Sequence, residues 1–154
     1  DSGIRDFPLA ATYSYNLVNH EEGIDNGESD PPTAINAHIT SSEFDLQDGD
    51  RFGFIRRVLP DMTFLGSTAD SPGAIMTFYP LKNSGSGYTT PASEGGNSTG
   101  TITRSVAAPV EAYTDKVNVR VRGRQMAIKI ESTSTGVQWQ LGSPRIDIRA
   151  DGQR

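Results

Sequence analysis

The stretch Val117-Asn118-Val119-Arg120-Val121-Arg122-Gly123-Arg124-Gln125-Met126-Ala127-Ile128-Lys129-Ile130-Glu131 decides the fold class. Val117, Val119 and Val121 alternate with Asn118, Arg120 and Arg122, and beyond Gly123 and Arg124 the residues Met126, Ile128 and Ile130 alternate with Ala127, Lys129 and Glu131. Successive side chains of an extended chain point to opposite faces, so a period of two describes strands with one apolar and one polar face. A glycine between two such runs predicts a β-hairpin. Its outer face would carry Arg120, Arg122, Lys129 and Glu131, with opposite charges pairing across the strands.

The pattern extends in both directions. After a turn at 132–136, Val137, Trp139 and Leu141 alternate with Gln138 and Gln140, and after Gly142-Ser143-Pro144, Ile146 and Ile148 alternate with Arg145, Asp147 and Arg149. Residues 117–149 therefore read as a four-strand antiparallel meander with one buried face. Trp139, in phase with Val137 and Leu141, reads as a core aromatic. Upstream, 51–59 reads as a strand stopped by Pro60, 62–65 as a brief extension, and 74–79 as a strand closed by Pro80. Shorter strands are expected at 34–40 and 99–106. No window sustains helical periodicity over three turns; the best short helix candidate, 8–17, is rich in Tyr and Thr and suits an extended chain equally. The expected architecture is all-β: an antiparallel β-sandwich or small barrel with a C-terminal four-strand meander and long polar loops. An acidic, turn-rich segment at 1–33 would lead into a β domain at 34–154, with a flexible Gly/Ser/Thr-rich loop at 82–100.

Composition bounds the rest. A chain of 154 residues is one domain of ordinary size. Only 34% of residues are hydrophobic and no apolar run approaches the ~20 residues of a membrane-spanning helix, which excludes an integral helical membrane protein. The absence of cysteine excludes a disulfide-stapled scaffold and a Cys-ligated zinc module. The net charge of -5 conceals two halves of opposite sign. Residues 1–50 hold eleven acids against Arg5, a net of −10, and the remaining 104 residues hold 13 bases and 8 acids, a net of +5. A pI near 4.9 argues against a dedicated nucleic-acid binder. The chain begins at Asp1 and shows no signal-peptide pattern, which reads as the cut edge of a longer product.

Candidate sites are few, and each has a simpler structural reading. Gly96-Asn97-Ser98-Thr99-Gly100 matches G-x-S-x-G, but a nucleophile elbow needs a strand before it and a helix after it, and both histidines, His20 and His38, precede Ser98. Asn97-Ser98-Thr99 is also a glycosylation sequon, which matters only in a eukaryotic secreted protein. Asp45, Asp48 and Asp50 around Gly49 miss the EF-hand spacing and read as a tight turn, with Gly49 at positive φ and the aspartates capping it. His20 and His38 would need carboxylates to complete a metal site. Glu21, Glu22, Asp25, Glu28 and Asp30 read first as a solvated acidic loop. Arg120, Arg122 and Arg124, with Arg145 and Arg149 nearby, form a basic strip. It reads as a solvated sheet face first, a subunit interface second and a DNA-facing surface third. No catalytic constellation, metal site or cofactor is expected, so the chain reads as a non-enzymatic domain.

Several strings together carry a resemblance. Arg51-Phe52-Gly53-Phe54-Ile55-Arg56-Arg57-Val58-Leu59-Pro60-Asp61, then Phe64-Leu65-Gly66-Ser67, then Val119-Arg120-Val121-Arg122-Gly123-Arg124-Gln125-Met126-Ala127, and finally the run from Trp139 to Arg154 resemble the C-terminal region of structural tail proteins of short-tailed double-stranded DNA bacteriophages, of the tail nozzle, tail hub and virion stabilisation types. The resemblance covers about residues 35–154. It implies a virion component in a homo-oligomeric ring, typically a hexamer, that contacts other tail proteins and lets DNA pass without specific binding. It also implies assembly in the bacterial host cytoplasm, where an absence of cysteine is unremarkable, and that Arg154 is the true C-terminus of a longer protein. The acidic segment would then line a lumen or pair with the arginines of a neighbour. The alternative is a β-sandwich binding module for a host surface glycan or another receptor, with the 82–100 loop as its recognition tip.

Overall fold

In the computed structural model, residues 7–82 and 105–152 are described, and none of them is helical. Alternation of apolar and polar side chains dictates strands, and two sheets bury their apolar faces against each other. The larger is built from β3 (Ala37–Thr40), β4 (Phe44–Asp45), β7 (Gly73–Leu81), β8 (Val106–Glu111) and β10 (Gln125–Ser132), in the order β3-β10-β7-β8 with β4 beside the start of β10. The smaller is built from β5 (Gly53–Leu59), β9 (Val117–Gly123) and β12 (Arg145–Ala150), in the order β12-β5-β9. Two further pairs stand apart: β1 (Leu9–Ala11) with β2 (Leu17–Asn19), and β6 (Met62–Thr63) with β11 (Gln140–Leu141). Every pairing is antiparallel.

Leu46, Ile55, Val58, Met76, Phe78 and Met126 have no exposed surface and lie at the centre of the core. Each contributes about 1.5–3 kcal/mol by leaving water. Trp139 packs at the rim of this core and donates its indole N–H to the Ser132 hydroxyl at 3.0 Å, which satisfies both polar groups. Asp45–Asp50 forms the expected turn: Gly49 has φ 73°, and Asp48 Oδ1 accepts the Asp50 N–H at 3.2 Å.

The all-β antiparallel architecture is as expected, but the meander is corrected. β9 and β10 do not pair with each other: β9 pairs with β5, while β10 pairs with β3, β4 and β7. The chain turns a corner at Gly123-Arg124 and passes from one sheet into the other. A two-residue hairpin needs positive φ at its first glycine, and Gly123 instead remains in the strand. It is glycine for a different reason: a Cβ there would lie 2.9 Å from the Gln125 carbonyl oxygen and 3.0 Å from that of Leu81. Only a residue without a side chain lets the crossing strands approach that closely. The corner is tied by the Arg124 N–H donating to Leu81 O at 2.9 Å and the Leu46 N–H donating to Arg124 O at 2.7 Å.

Other boundaries shift for local reasons. β7 continues through Pro80 to Leu81, because β8 pairs with it only as far as Phe78 and Pro80 has a neighbour on one side among the described residues, a position that tolerates a missing N–H. Residues 8–17 are not helical: they hold β1, the turn that follows it and the first residue of β2. The first short strand begins at Ala37 rather than 34, and β8 begins at Val106, so the strand expected at 99–106 overlaps the described chain only at its end. Most of the 82–100 loop lies outside the described residues.

Candidate functional site

Directly paired residues in adjacent strands share a face. In the β12-β5-β9 sheet, Arg149 pairs with Phe54 and Phe54 with Arg122, Asp147 pairs with Arg57 and Arg57 with Asn118, and Arg145 pairs with Leu59. All of these residues lie opposite the buried side of Ile55, Val58 and Val121. Arg120 lies two residues from Arg122 and is likewise exposed. Four of the five predicted arginines, Arg120, Arg122, Arg145 and Arg149, are therefore brought to one sheet face, by a route other than the expected one: β9 and β12 flank β5 instead of following each other through a meander, and Arg124 lies at the corner beyond β9.

The face is more basic than the sequence reading foresaw, because β5 adds Arg56 and Arg57. Between Ile55 and Val58, both fully buried, the ladder on the β12 side skips one residue. This bulge places two consecutive arginines outside the core. The signal was present in the sequence: apolar residues at 55 and 58 are three apart, which breaks period two.

The arginines divide by role. Arg122 is clamped: its guanidinium carbon lies 4.1 Å from the centroid of the buried Phe52 ring, it forms an ion pair with Asp151, and its Nη2 donates to Asp151 O at 3.3 Å. Arg124 covers the same ring at 5.0 Å. Arg122 thereby ties Asp151 to the sheet. Arg57 lies 3.5 Å from Asp147. Arg56, Arg120, Arg145 and Arg149 are exposed and make no ion pair among the described residues. The expected cross-strand pairing of opposite charges among Arg120, Arg122, Lys129 and Glu131 is corrected. Lys129 Nζ lies 2.6 Å from Glu131 Oε2 on its own strand, in the other sheet, and that contact raises the Lys129 pKa.

The acidic residues are dispersed over a leading arm. Both Asp25 carboxylate oxygens accept the Gly136 N–H at 2.9 Å, which fastens the arm to the loop after β10. Gly136 has φ 72°, and a Cβ there would meet Thr68 Oγ1 at 2.8 Å, so this donor position requires glycine. Hydroxyls of Ser14 and Thr12 in the β1–β2 turn hold the Glu28 carboxyl below its ordinary pKa. Glu22 accepts from Asn19 Nδ2 at 2.8 Å, and Glu21 lies 3.7 Å from His20. Asp30 is exposed. Together the arm walls an open groove of about 870 Å³ whose polar lining includes Thr12, Asn19, Glu21, Asp25, Glu28 and Asn36.

Among the described residues no three of His, Cys, Asp and Glu converge as a metal site. His38 lies on β3, opposite Glu131. Ser98 and its G-x-S-x-G string lie outside the described residues. No described helix is long and apolar enough to cross a membrane. No protein-family model matches the chain, and no curated protein matches it.

Proposed function

We propose that the chain is a non-enzymatic structural subunit of a bacteriophage tail, a nozzle- or hub-type ring component of the DNA-ejection conduit, and that the arginine face is the surface it turns to a neighbouring subunit. The observation that carries the subunit reading is the separation of charge. Residues 7–50 contain no Lys or Arg and nine acids, while the outer face of β12-β5-β9 presents four arginines with no ion-pair partner among the described residues. Two complementary patches at different places on one chain favour head-to-tail contacts, and such contacts close into a ring when the rotation between copies allows it. The phage tail assignment is supported by the resemblance of the arginine-bearing strings to that class of proteins.

The test is assembly of the 154-residue chain, measured by mass photometry and negative-stain imaging. A single closed oligomer is expected, and it should dissociate when salt is raised to about 0.5 M, where the screening length falls to roughly 4 Å. Arg120→Glu, Arg145→Glu and Arg149→Glu together should leave a folded monomer. A wild-type chain that stays monomeric at high concentration, or a ring indifferent to both salt and charge reversal, overturns the reading.

A further inference from the structure

We infer that the two-tyrosine turn of the β1–β2 hairpin docks on the arginine face of a second copy of the chain; this rests on the ring-subunit reading above and names the contact that would build the ring.

The hairpin is a sheet of its own, paired with no other strand among the described residues. Two strands alone are marginal in water, yet this pair exposes Leu9, Tyr13, Tyr15 and Leu17. Its turn alternates Thr12-Tyr13-Ser14-Tyr15-Asn16. The polar members close the turn on the arm. The Thr12 N–H donates to Asn16 O at 2.9 Å, the Asn16 N–H to Thr12 Oγ1 at 3.2 Å, and the side chains of Ser14, Thr12 and Asn16 hydrogen-bond the Glu28 carboxylate. Tyr13 and Tyr15 are left in solvent, at 105% and 98% exposure. Tyr15 takes φ 63°, a region that bulky residues seldom occupy. A turn that only had to close would carry Gly or Asn there. This one presents two of the side chains that give the most contact area per fixed torsion.

Charge selects the occupant. Glu21, Glu22 and Glu28 belong to the same arm as the turn, and residues 7–50 hold no Lys or Arg. The arginine face offers the complement: exposed guanidiniums of Arg56, Arg120 and Arg149, with half-buried Phe54 and partly exposed Leu59 between them. Tyrosine rings stack on guanidinium planes, and the flanking carboxylates pair with the remaining arginines. The two patches are different, so the contact repeats head to tail from copy to copy.

The chain has no cysteine, so engineered thiols report the contact directly. A Tyr15→Cys chain mixed with an Arg120→Cys chain under mild oxidant should give a mixed disulfide dimer, and neither chain alone should exceed background. Tyr13→Ser with Tyr15→Ser should weaken self-association about thirtyfold and leave the thermal midpoint unchanged, because the two rings pack on nothing among the described residues. If the serine variant assembles with wild-type affinity, or the mixed disulfide does not form in rings that do assemble, the inference fails while the ring reading stands. If the serine variant loses binding to a surface polysaccharide with self-association unchanged, the turn belongs to a glycan site and the inference is likewise overturned. A wild-type chain that never assembles removes the ring reading and this contact with it.

Discussion

The sandwich body and the leading arm are made of the same chain but held by different physics. No residue from 7 to 45 is buried, and Leu46, fully buried, is the first described residue inside the core. The body rests on apolar area removed from water, which is cooperative and insensitive to single surface contacts. Ahead of β3, the arm is tied by polar contacts, among them Asp25 on Gly136 and Glu28 on the turn, and β3 and β4 then join it to the larger sheet. Such polar contacts contribute little each and open locally without unfolding the rest. An arm that orders itself this weakly and still exposes aromatic side chains fits a segment completed by a partner.

The largest test of this contrast is the same kind of truncation made in both regions. Phe78→Ala in the body should cost about 3–5 kcal/mol in urea unfolding, whereas Leu17→Ala in the arm, 70% exposed, should stay within about 0.5 kcal/mol. Comparable losses would show that the arm belongs to the cooperative core. Next in size is Gly123→Ala. A methyl group 2.9 Å from one carbonyl oxygen and 3.0 Å from another forces the two crossing strands apart, and a loss of about 2–3 kcal/mol is expected. Wild-type stability in that variant would mean that the corner adjusts easily.

Asp25→Ala should act on the arm alone. The Gly136 N–H loses its carboxylate acceptor, a local loss of about 1 kcal/mol. Amide exchange at 19–33 should accelerate while the global midpoint barely moves, and a large drop in that midpoint would contradict the separation of the two regions. The smallest effect is at Glu28. Hydroxyls of Ser14 and Thr12 lower its pKa in the folded arm. That stabilisation is therefore fully present above the ordinary glutamate pKa and is lost as pH falls through the depressed folded value. Backbone NMR shifts at 12–16 should titrate in this acidic window and cease to do so in Glu28→Gln.

Much of the candidate site was legible in the sequence, and particular residues show where legibility ended. Arg120, Arg145 and Arg149 were readable as an outer strip because each sits at the polar phase of an alternating run. Arg56 and Arg57 were missed because a bulge suspends alternation for one residue, and period-two reading has no place for it. Arg122 and Arg124 were identified as part of the strip, but not their stacking on Phe52, some seventy residues earlier in the chain. The tether from Asp25 to Gly136 also joins distant segments, and neither residue has a neighbour in sequence that announces it. The alternation of Tyr13 and Tyr15 with Thr12, Ser14 and Asn16 was visible, but which set faced the arm depended on where Glu28 lay.

By itself, the alternation from Val117 to Glu131 determined that this chain is all-β and that Val117, Val119 and Val121 are buried, while in β10 the tertiary packing buries Ala127 fully and leaves Ile128 half-buried against the alternation. Only the tertiary structure decided who pairs with whom. Every extended residue offers the same N–H and C=O to either edge, so a hairpin and a corner between two sheets share one hydrophobic pattern. The choice between them fell to a contact that local sequence does not encode: the approach of the Leu81 and Gln125 carbonyls to Gly123. That choice sent β10 to the larger sheet, left β9 beside β5, and placed arginines from three separated stretches on one face.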